Sequence, residues 1–254
     1  MEVTAGARGF RDLTVLGSGT GLVVPRYWSG FALDGEILLD VPPTAGIHLR
    51  RLGIRSEALT SAFVSHLHAD HVFGLVFLAL EFNIAHSRTT PLDVVAPAGT
   101  REHVERLFHL GYPGNEATAE PGFPLGMRFH ELDGGLEGVV GDVAYQAIPL
   151  KHHLRFLDSF GYRLTRGNRT VSYSGDTAMI PALLELGRGA DAFIVECTNQ
   201  AGSDGDHLDL EAIRTLRGAL PASTRILVTH YHDIHQGQLP SGASLVRDFE
   251  EIRL

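Results

Sequence analysis

The segment Ser-His-Leu-His-Ala-Asp-His, residues 65–71, places four side chains of metal-binding type within six positions, directly after a short apolar run. In an extended chain that leaves a strand, residues two apart project to the same side, so His66 and His68 can hold one ion. Asp70 and His71 follow where the chain bends into a helix, and they can point at a second ion. A hydrogen-bonded surface turn is the weaker interpretation, because burying such groups without partners is costly. The segment therefore predicts a metal centre at the end of a buried strand.

The chain length and composition indicate one folded unit. Its 254 residues, of which 44% are hydrophobic, suffice for one substantial core, so we expect a single domain over residues 1–254. The first ten residues lack the basic start and apolar run of a secretory signal, and no uncharged apolar stretch is long enough to span a bilayer. We therefore expect a soluble, cytoplasmic protein with no membrane partner.

The cysteine count and the net charge argue against several classes of site and partner. Cys197 is the only cysteine, so the chain can form neither an internal disulfide nor a thiolate metal cluster, and any metal must be held by His, Asp and Glu. The formal net charge of -9 at pH 7 argues against tight binding of a long polyanion. We therefore expect a small-molecule substrate and no long nucleic acid as partner.

Predicted strands and helices alternate along two successive halves of the chain. A hairpin turning at Asp34-Gly35 opens the first half, and an apolar helix over residues 74–85 follows the histidine segment. In the second half, buried strands alternate with helices, and we predict a terminal helix from about Ala243. The pattern is typical of an α/β protein with two packed sheets and helices outside, a four-layer αββα sandwich. A stretch rich in Gly and Pro, residues 111–126, predicts a long loop near the substrate.

The string SHLHADHVFGL, residues 65–75, resembles the H-x-H-x-D-H signature of the metallo-β-lactamase superfamily. Five further segments resemble other motifs of that superfamily and occur in its order: LGSGTG, ILLDV, IPLKHH with FGYRL, SYSGDT and LVTHYH. The set is most similar to the ribonuclease Z and cyclic phosphodiesterase branch, in which F-G-Y-R and G-D-T occur together. The resemblance implies the αββα metallo-β-lactamase fold and a metal-dependent hydrolase.

Carried over residue by residue, the resemblance implies a pair of divalent metal ions bridged by Asp176. The ligands that it implies are, for one ion, His66, His68 and His152 and, for the other, Asp70, His71 and His230. Either member of the pair His152-His153 could be the ligand, and the P-L-x-H pattern favours His152. Such nitrogen and oxygen donors suit Zn2+ first, and they would also tolerate Mn2+ or Fe2+, so the sequence does not choose the metal.

Two metal ions suit hydrolysis, because a shared water loses its proton near neutral pH and the ions stabilise the charge that develops on a phosphoryl or acyl group. Asp70 would then be both a ligand and the candidate proton acceptor. In the ribonuclease Z branch a Glu and His pair helps to protonate the leaving group, and Glu196 and His207 resemble that pair. The alternative is an ordinary carboxylate at a strand end and a surface histidine near a helix start.

Departures from the family pattern narrow the expected substrate. In ribonuclease Z enzymes, a long arm that clasps transfer RNA is inserted in the sequence between the third histidine and the bridging aspartate. Here the corresponding residues, His152 and Asp176, are only 24 positions apart. Together with the acidic net charge, this argues against processing of transfer RNA. Self-association into a homodimer is a further expectation, and it rests on the resemblance alone.

Three functions follow from the predicted site. The first is hydrolysis of a small or cyclic phosphodiester through a hydroxide formed at the metal pair, with Glu196 and His207 assisting departure of the leaving group. The second is hydrolysis of a lactone, thioester or amide at the same dinuclear site. The third is an iron-dependent oxidoreductase or biosynthetic enzyme on the same fold, although the intact Asp70, His71 and Asp176 favour two metals.

Overall fold

The structure, a computed structural model, describes residues 8–22, 25–85, 88, 90–114, 124–153, 158–232 and 234–254. The strands among them are β1 (Asp12–Gly17), β2 (Gly30–Leu33), β3 (Ile37–Leu39), β4 (Ser61–Phe63), β5 (Leu92–Pro97), β6 (Met127–Leu132), β7 (Glu137–Val140), β8 (Val143–Leu150), β9 (Ser159–Arg166), β10 (Arg169–Tyr173), β11 (Ala192–Glu196), β12 (Arg225–Thr229), β13 (Ala243–Leu245) and β14 (Glu251–Arg253). The α-helices are α1 (Ala45–Arg51), α2 (Ala69–Val72), α3 (Gly74–Ala85), α4 (Thr100–Gly111), α5 (Pro181–Gly187) and α6 (Leu210–Ala219).

Two seven-stranded sheets form the centre of the described part of the chain. The first has the strand order β14-β1-β2-β3-β4-β5-β6, and the second has the order β13-β12-β11-β10-β9-β8-β7. Both sheets are mixed: β3 to β6 run parallel in the first sheet and β10 to β13 in the second, whereas the other neighbours are antiparallel. Each sheet therefore combines a hairpin half with a half in which helices connect the strands.

Three apolar cores hold four layers together. The central core lies between the sheets, where the Phe63 and Tyr162 rings pack with centroids 5.4 Å apart. A second core lies between the first sheet and α1, α3 and α4, and a third between the second sheet and α5 and α6. Because both faces of each sheet are covered, most strands are buried along nearly their whole length. The predicted αββα sandwich is confirmed.

The predicted hairpin at Asp34-Gly35 is also confirmed, since β2 and β3 pair antiparallel across this turn. Three residues, 34 to 36, join the strands, and the positive φ of 49° at Asp34 and 69° at Gly35 turns the chain so that the Glu36 N–H donates to the Leu33 carbonyl at 3.0 Å. The Asp34 carboxylate accepts hydrogen bonds from the backbone N–H groups of Arg11 and Asp12. The turn is thereby fixed to the chain that enters β1.

The predicted terminal helix from about Ala243 is wrong. Its place is taken by β13, which pairs parallel with β12, and by β14, which pairs antiparallel with β1. The spacing of Val246, Phe249 and Ile252 fits a helical period, but Phe249 has a φ of 65°, which no right-handed helix contains. Hydrogen bonding to the open edges of both sheets outweighs the local pattern.

Two other predictions, the loop over residues 111–126 and the lack of a membrane span, concern segments that the structure describes only in part. Most of the predicted loop over residues 111–126, namely 115–123, lies outside the described residues. Among the helices that the structure describes, none has the length and apolar character needed to cross a membrane.

Candidate metal centre

The seven side chains predicted to bind metal come together at one end of the sandwich. They follow the C-terminal ends of strands from both sheets: His66 and His68 follow β4, Asp70 and His71 lie in α2, and His152, Asp176 and His230 follow β8, β10 and β12. The carboxyl ends of strands are where α/β sheets usually bind ligands. Residues from four separate segments of the chain thereby become neighbours.

The first group of donor atoms consists of three imidazole nitrogens. Nδ1 of His68 lies 2.9 Å from Nε2 of His66 and 3.1 Å from Nε2 of His152. Zn–N bonds of 2.0–2.1 Å in a tetrahedral site would separate such nitrogens by about 3.3 Å. The three nitrogens therefore surround a space of the size that one metal ion needs.

The second group combines two imidazole nitrogens with two carboxylates. Nε2 of His71 lies 3.4 Å from Oδ2 of Asp70 and 3.4 Å from Oδ2 of Asp176. Nε2 of His230 lies 3.8 Å and 3.3 Å from the same two oxygens. The four donors can accept a second cation, whose charge the carboxylates would balance.

Asp176 lies between the two groups. Besides its contacts with the second group, its Oδ2 is 4.0 Å from Nε2 of His152 in the first. Gly175 aims it there: this glycine has a φ of 56°, and a Cβ at its position would collide with the Cβ of Ser65. The Gly-Asp order of the SYSGDT segment thus has a steric reason.

Four of these imidazoles are oriented through their other nitrogen. The partners of the four Nδ1 atoms are Ser65 Oγ for His66 at 2.9 Å, Asp40 Oδ2 for His71 at 2.6 Å, the Asp206 carbonyl for His152 at 3.0 Å, and Thr198 Oγ1 for His230 at 2.8 Å. A hydrogen bond donated by Nδ1 leaves the lone pair of Nε2 free to face the centre. All four rings therefore present a metal-binding nitrogen to the same space.

The charges differ between the two groups. Burial, with smaller contributions from neighbouring histidines, lowers the pKa of His66 and lowers that of His68 to about 4, so both rings are neutral. Burial also opposes protonation of His71, but the carboxylates of Asp176 and Asp40 outweigh it and raise the pKa of His71 well above its usual range. The second group therefore attracts positive charge, which a metal cation could supply in place of the proton.

Glu196 and His207 form the predicted pair beside this centre. The Glu196 carboxylate is 1% exposed, and its Oε1 accepts from Nδ1 of His207 at 2.9 Å and from the Thr177 N–H at 2.9 Å. Its Oε2 accepts from the N–H and the hydroxyl of Thr198. Burial lowers the pKa of His207, but the hydrogen bond and charge of Glu196 outweigh it and raise that pKa to about 9. Nδ1 of His207 is 3.9 Å from Oδ2 of Asp176, so the pair borders both groups of donors.

Comparison with known proteins places this arrangement in a family. Residues 11–245 match the family described as Anti-Pycsar protein Apyc1. The chain belongs to the Apyc1 family. 

The similar proteins include a ribonuclease Z and solved structures of the metallo-β-lactamase fold. A ribonuclease Z of Acaryochloris marina is 30% identical over 187 residues, which are 67% of this chain and 54% of that protein, so the match spans about half the relative's length. The metallo-β-lactamase fold protein YhfI of Bacillus subtilis has a TM-score of 0.77 at 18% identity, covering 97% of this chain and 100% of its own. A diphosphatase of the PhnP family has a TM-score of 0.75 at 20% identity, covering 96% and 97%. The predicted metallo-β-lactamase fold and the similarity to ribonuclease Z are confirmed.

In this Apyc1-family chain, three residues that support the centre were not among the site residues predicted from the sequence. Asp40, Thr198 and Asp206 each accept a hydrogen bond from a histidine of the two donor groups. Asp40 ends the apolar run ILLD, and a carboxylate that ends a buried strand is a signal the sequence offered. Thr198 follows the candidate Glu196, whereas Asp206 uses a backbone carbonyl, which leaves no trace in the sequence.

The structure separates the two members of the pair His152-His153. His152 is 1% exposed and belongs to the first donor group, whereas His153 is exposed, and its φ of 45° directs its backbone N–H to the Asp206 carboxylate. We expect His152→Ala to lower zinc affinity more than about 100-fold, beyond the usual effect of losing an outer hydrogen-bond partner. His153→Ala should change it no more than about twofold, as exposed substitutions usually do. Chelator competition measures both, and equal losses would contradict the assignment to His152.

Proposed function

We propose that this chain is a metal-dependent phosphodiesterase that hydrolyses small or cyclic phosphodiesters at two divalent metal ions. The observation that carries the proposal is the pair of donor groups that meet at Asp176, bordered by the Glu196–His207 pair. Membership of the Apyc1 family and similarity to ribonuclease Z support the class of reaction.

The residues of the centre fit metal ions on two grounds. Three of their buried polar atoms have no hydrogen-bond partner among the residues that the structure describes: Nε2 of His71, Nε2 of His230 and Oδ1 of Asp176. Buried polar atoms nearly always have partners, and two of these three, the Nε2 atoms of His71 and His230, belong to the second donor group. The donor set, made of imidazole nitrogens and carboxylate oxygens, suits Zn2+, Mn2+ or Fe2+.

We assign the ligands as the two groups indicate. One ion would be held by His66, His68 and His152, the other by Asp70, His71 and His230, with Asp176 shared between them. When bound, such ions polarise phosphoryl oxygens and lower the pKa of water, which supplies a nucleophile near neutral pH.

The protein's own side chains would move the protons. Asp70 is 20% exposed, so its carboxylate can reach water in the site and accept a proton. The side chain of His207 is also 20% exposed, and Glu196 holds its Nδ1, so Nε2 is free to donate a proton to the departing oxygen. The hydrogen bond and charge of Glu196 keep His207 in the protonated form that a general acid needs.

Three features favour a small substrate. The formal net charge of -9 disfavours a long polyanion, as does the short distance of 24 positions between His152 and Asp176. Gly21 lies against the second donor group, where a Cβ at its position would be 3.2 Å from Oδ2 of Asp70. The backbone at Gly21 thus lies close to Asp70 on this side of the centre and limits the room for a bulky substrate group.

The test is hydrolysis of bis(p-nitrophenyl) phosphate by protein reconstituted separately with zinc and with manganese. We expect turnover by the wild type and by Asp142→Ala, which removes a carboxylate whose side chain is 57% exposed, but none above background by Asp176→Ala. If metal-loaded wild type is as inert as Asp176→Ala, the phosphodiester class is abandoned. Lactones, thioesters and iron-dependent redox reactions are then the next substrates to test.

A further inference from the structure

One hydroxyl connects the candidate acid–base pair with a candidate metal ligand. Oγ1 of Thr198 lies 2.8 Å from Oε2 of Glu196 and 2.8 Å from Nδ1 of His230. It also lies 3.2 Å from Nδ1 of His207 and 3.2 Å from the His230 carbonyl. No other described side chain is hydrogen-bonded to both Glu196 and His230.

The hydrogen-bonding capacity of a hydroxyl decides the direction of these bonds. A threonine hydroxyl has one proton to donate and two lone pairs that accept. An ionised carboxylate only accepts, so the Thr198 proton goes to Glu196, which lies nearer than the His230 carbonyl. Nδ1 of His230 must then carry the proton in its bond to Thr198, and the second lone pair faces His207.

The consequence for His230 is a fixed tautomer. With the proton on Nδ1, Nε2 carries a lone pair, and this is the buried atom without a partner that lies 3.3 Å from Asp176. Without the hydroxyl, no described group accepts from Nδ1, and the ring could carry its proton on either nitrogen. The tautomer that suits a metal would then no longer be imposed.

The consequence for Glu196 is a fixed carboxylate. Thr198 donates both its N–H, at 3.0 Å, and its hydroxyl to Oε2, which turns Oε1 towards His207. The backbone supports this geometry, since Cys197 N–H donates to the Thr229 carbonyl where β11 and β12 end side by side. Thr198 is therefore held between the two groups that it contacts.

We propose that Thr198 is a positioning residue that sets the metal-binding tautomer of His230 and the orientation of the Glu196–His207 pair at once. The inference deepens the proposed function and rests on it for the acid–base half. Loss of the hydroxyl should weaken metal binding and should also slow departure of poor leaving groups.

The experiment compares Thr198→Val, which keeps the shape and removes the hydroxyl, with Thr198→Ser, which keeps the hydroxyl. Thr165→Val is the matched control, because that threonine also has a hydrogen-bonded hydroxyl but lies in β9, bonded to Thr170. Zinc affinity is measured by chelator competition. Rates are measured with bis(p-nitrophenyl) phosphate and with diphenyl phosphate, whose leaving group is poorer.

We expect Thr198→Val to lower zinc affinity about 10- to 100-fold, the usual effect of removing a partner of a metal ligand. Its rate with diphenyl phosphate should fall about tenfold further than its rate with the nitrophenyl ester, since only the poor leaving group needs a strong general acid. Thr198→Ser and Thr165→Val should stay close to wild type on both measures. Thr198→Ala replaces the valine variant if thermal unfolding shows that valine is not accommodated.

Two outcomes would overturn the inference: wild-type zinc affinity in Thr198→Val, or equal losses in Thr198→Val and Thr198→Ser. An equal fall for both esters in Thr198→Val would refute the acid–base half. If the wild type hydrolyses neither ester, the proposed function fails, and the zinc affinities still decide whether Thr198 positions His230.

Discussion

Asp176→Ala is expected to lower kcat/KM for a phosphodiester by about 10^3-fold or more. Asp176 is the residue whose carboxylate faces both donor groups, within 3.4 Å of His71 and His230 and 4.0 Å from His152. If it bridges two ions, its removal leaves each ion with one ligand fewer and takes away a negative charge between them. The stabilisation that a metal pair gives to a transition state amounts to several kcal/mol, and about 4 kcal/mol corresponds to about 10^3-fold in rate.

The same substitution should reduce the metal content. We expect close to two zinc ions per wild-type chain by elemental analysis after gel filtration, and one or fewer for Asp176→Ala. Asp176→Asn serves as a second variant, since it keeps the volume of the side chain and loses only the charge and one acceptor oxygen. Asp142→Ala, a change at an exposed carboxylate, should retain wild-type metal and rate. Full metal content and undiminished rate in Asp176→Ala would show that Asp176 is not part of the metal site.

The sequence predicted the gathering of the site because its residues stand at strand ends. His66, His68, Asp70 and His71 follow one apolar run, and the segments around Asp176 follow others. Apolar runs of this length in an α/β pattern become parallel strands, and their carboxyl ends share an edge. Which histidine of a pair turns inward is not set by this rule, and the positive φ of His153 had no sequence signal.

The supporting hydrogen bonds were less predictable, because they depend on the approach of distant segments. The Asp206 carbonyl reaches Nδ1 of His152 across 54 positions, and any residue type supplies such a carbonyl. The predicted terminal helix was wrong for a related reason. β13 and β14 are stabilised by pairing with the edges of the two sheets, and the local sequence does not encode that pairing.

Asp40→Asn is expected to lower the free energy of unfolding of the metal-free protein by about 3 kcal/mol. The Asp40 carboxylate is fully buried and accepts from four donors: the Ser65 N–H at 2.7 Å on Oδ1, and the Ser65 hydroxyl at 2.8 Å, Nδ1 of His71 at 2.6 Å and the Tyr173 hydroxyl at 2.5 Å on Oδ2. An asparagine amide has one acceptor oxygen, and its NH2 group would face donors on the other side. Breaking one partner of a buried charge pair usually costs about 3–5 kcal/mol.

The measurement for Asp40 is urea unfolding in the presence of a chelator, so that metal binding does not contribute to the stability. Glu211→Gln is the control, because it makes the same chemical change at a side chain that is 74% exposed, and it should shift the free energy by no more than about 0.5 kcal/mol. Zinc affinity should fall as well, since His71 loses the acceptor that orients it. A change below about 1 kcal/mol in Asp40→Asn would mean that the Asp40 charge is not what holds β3, the start of α2 and the end of β10 together.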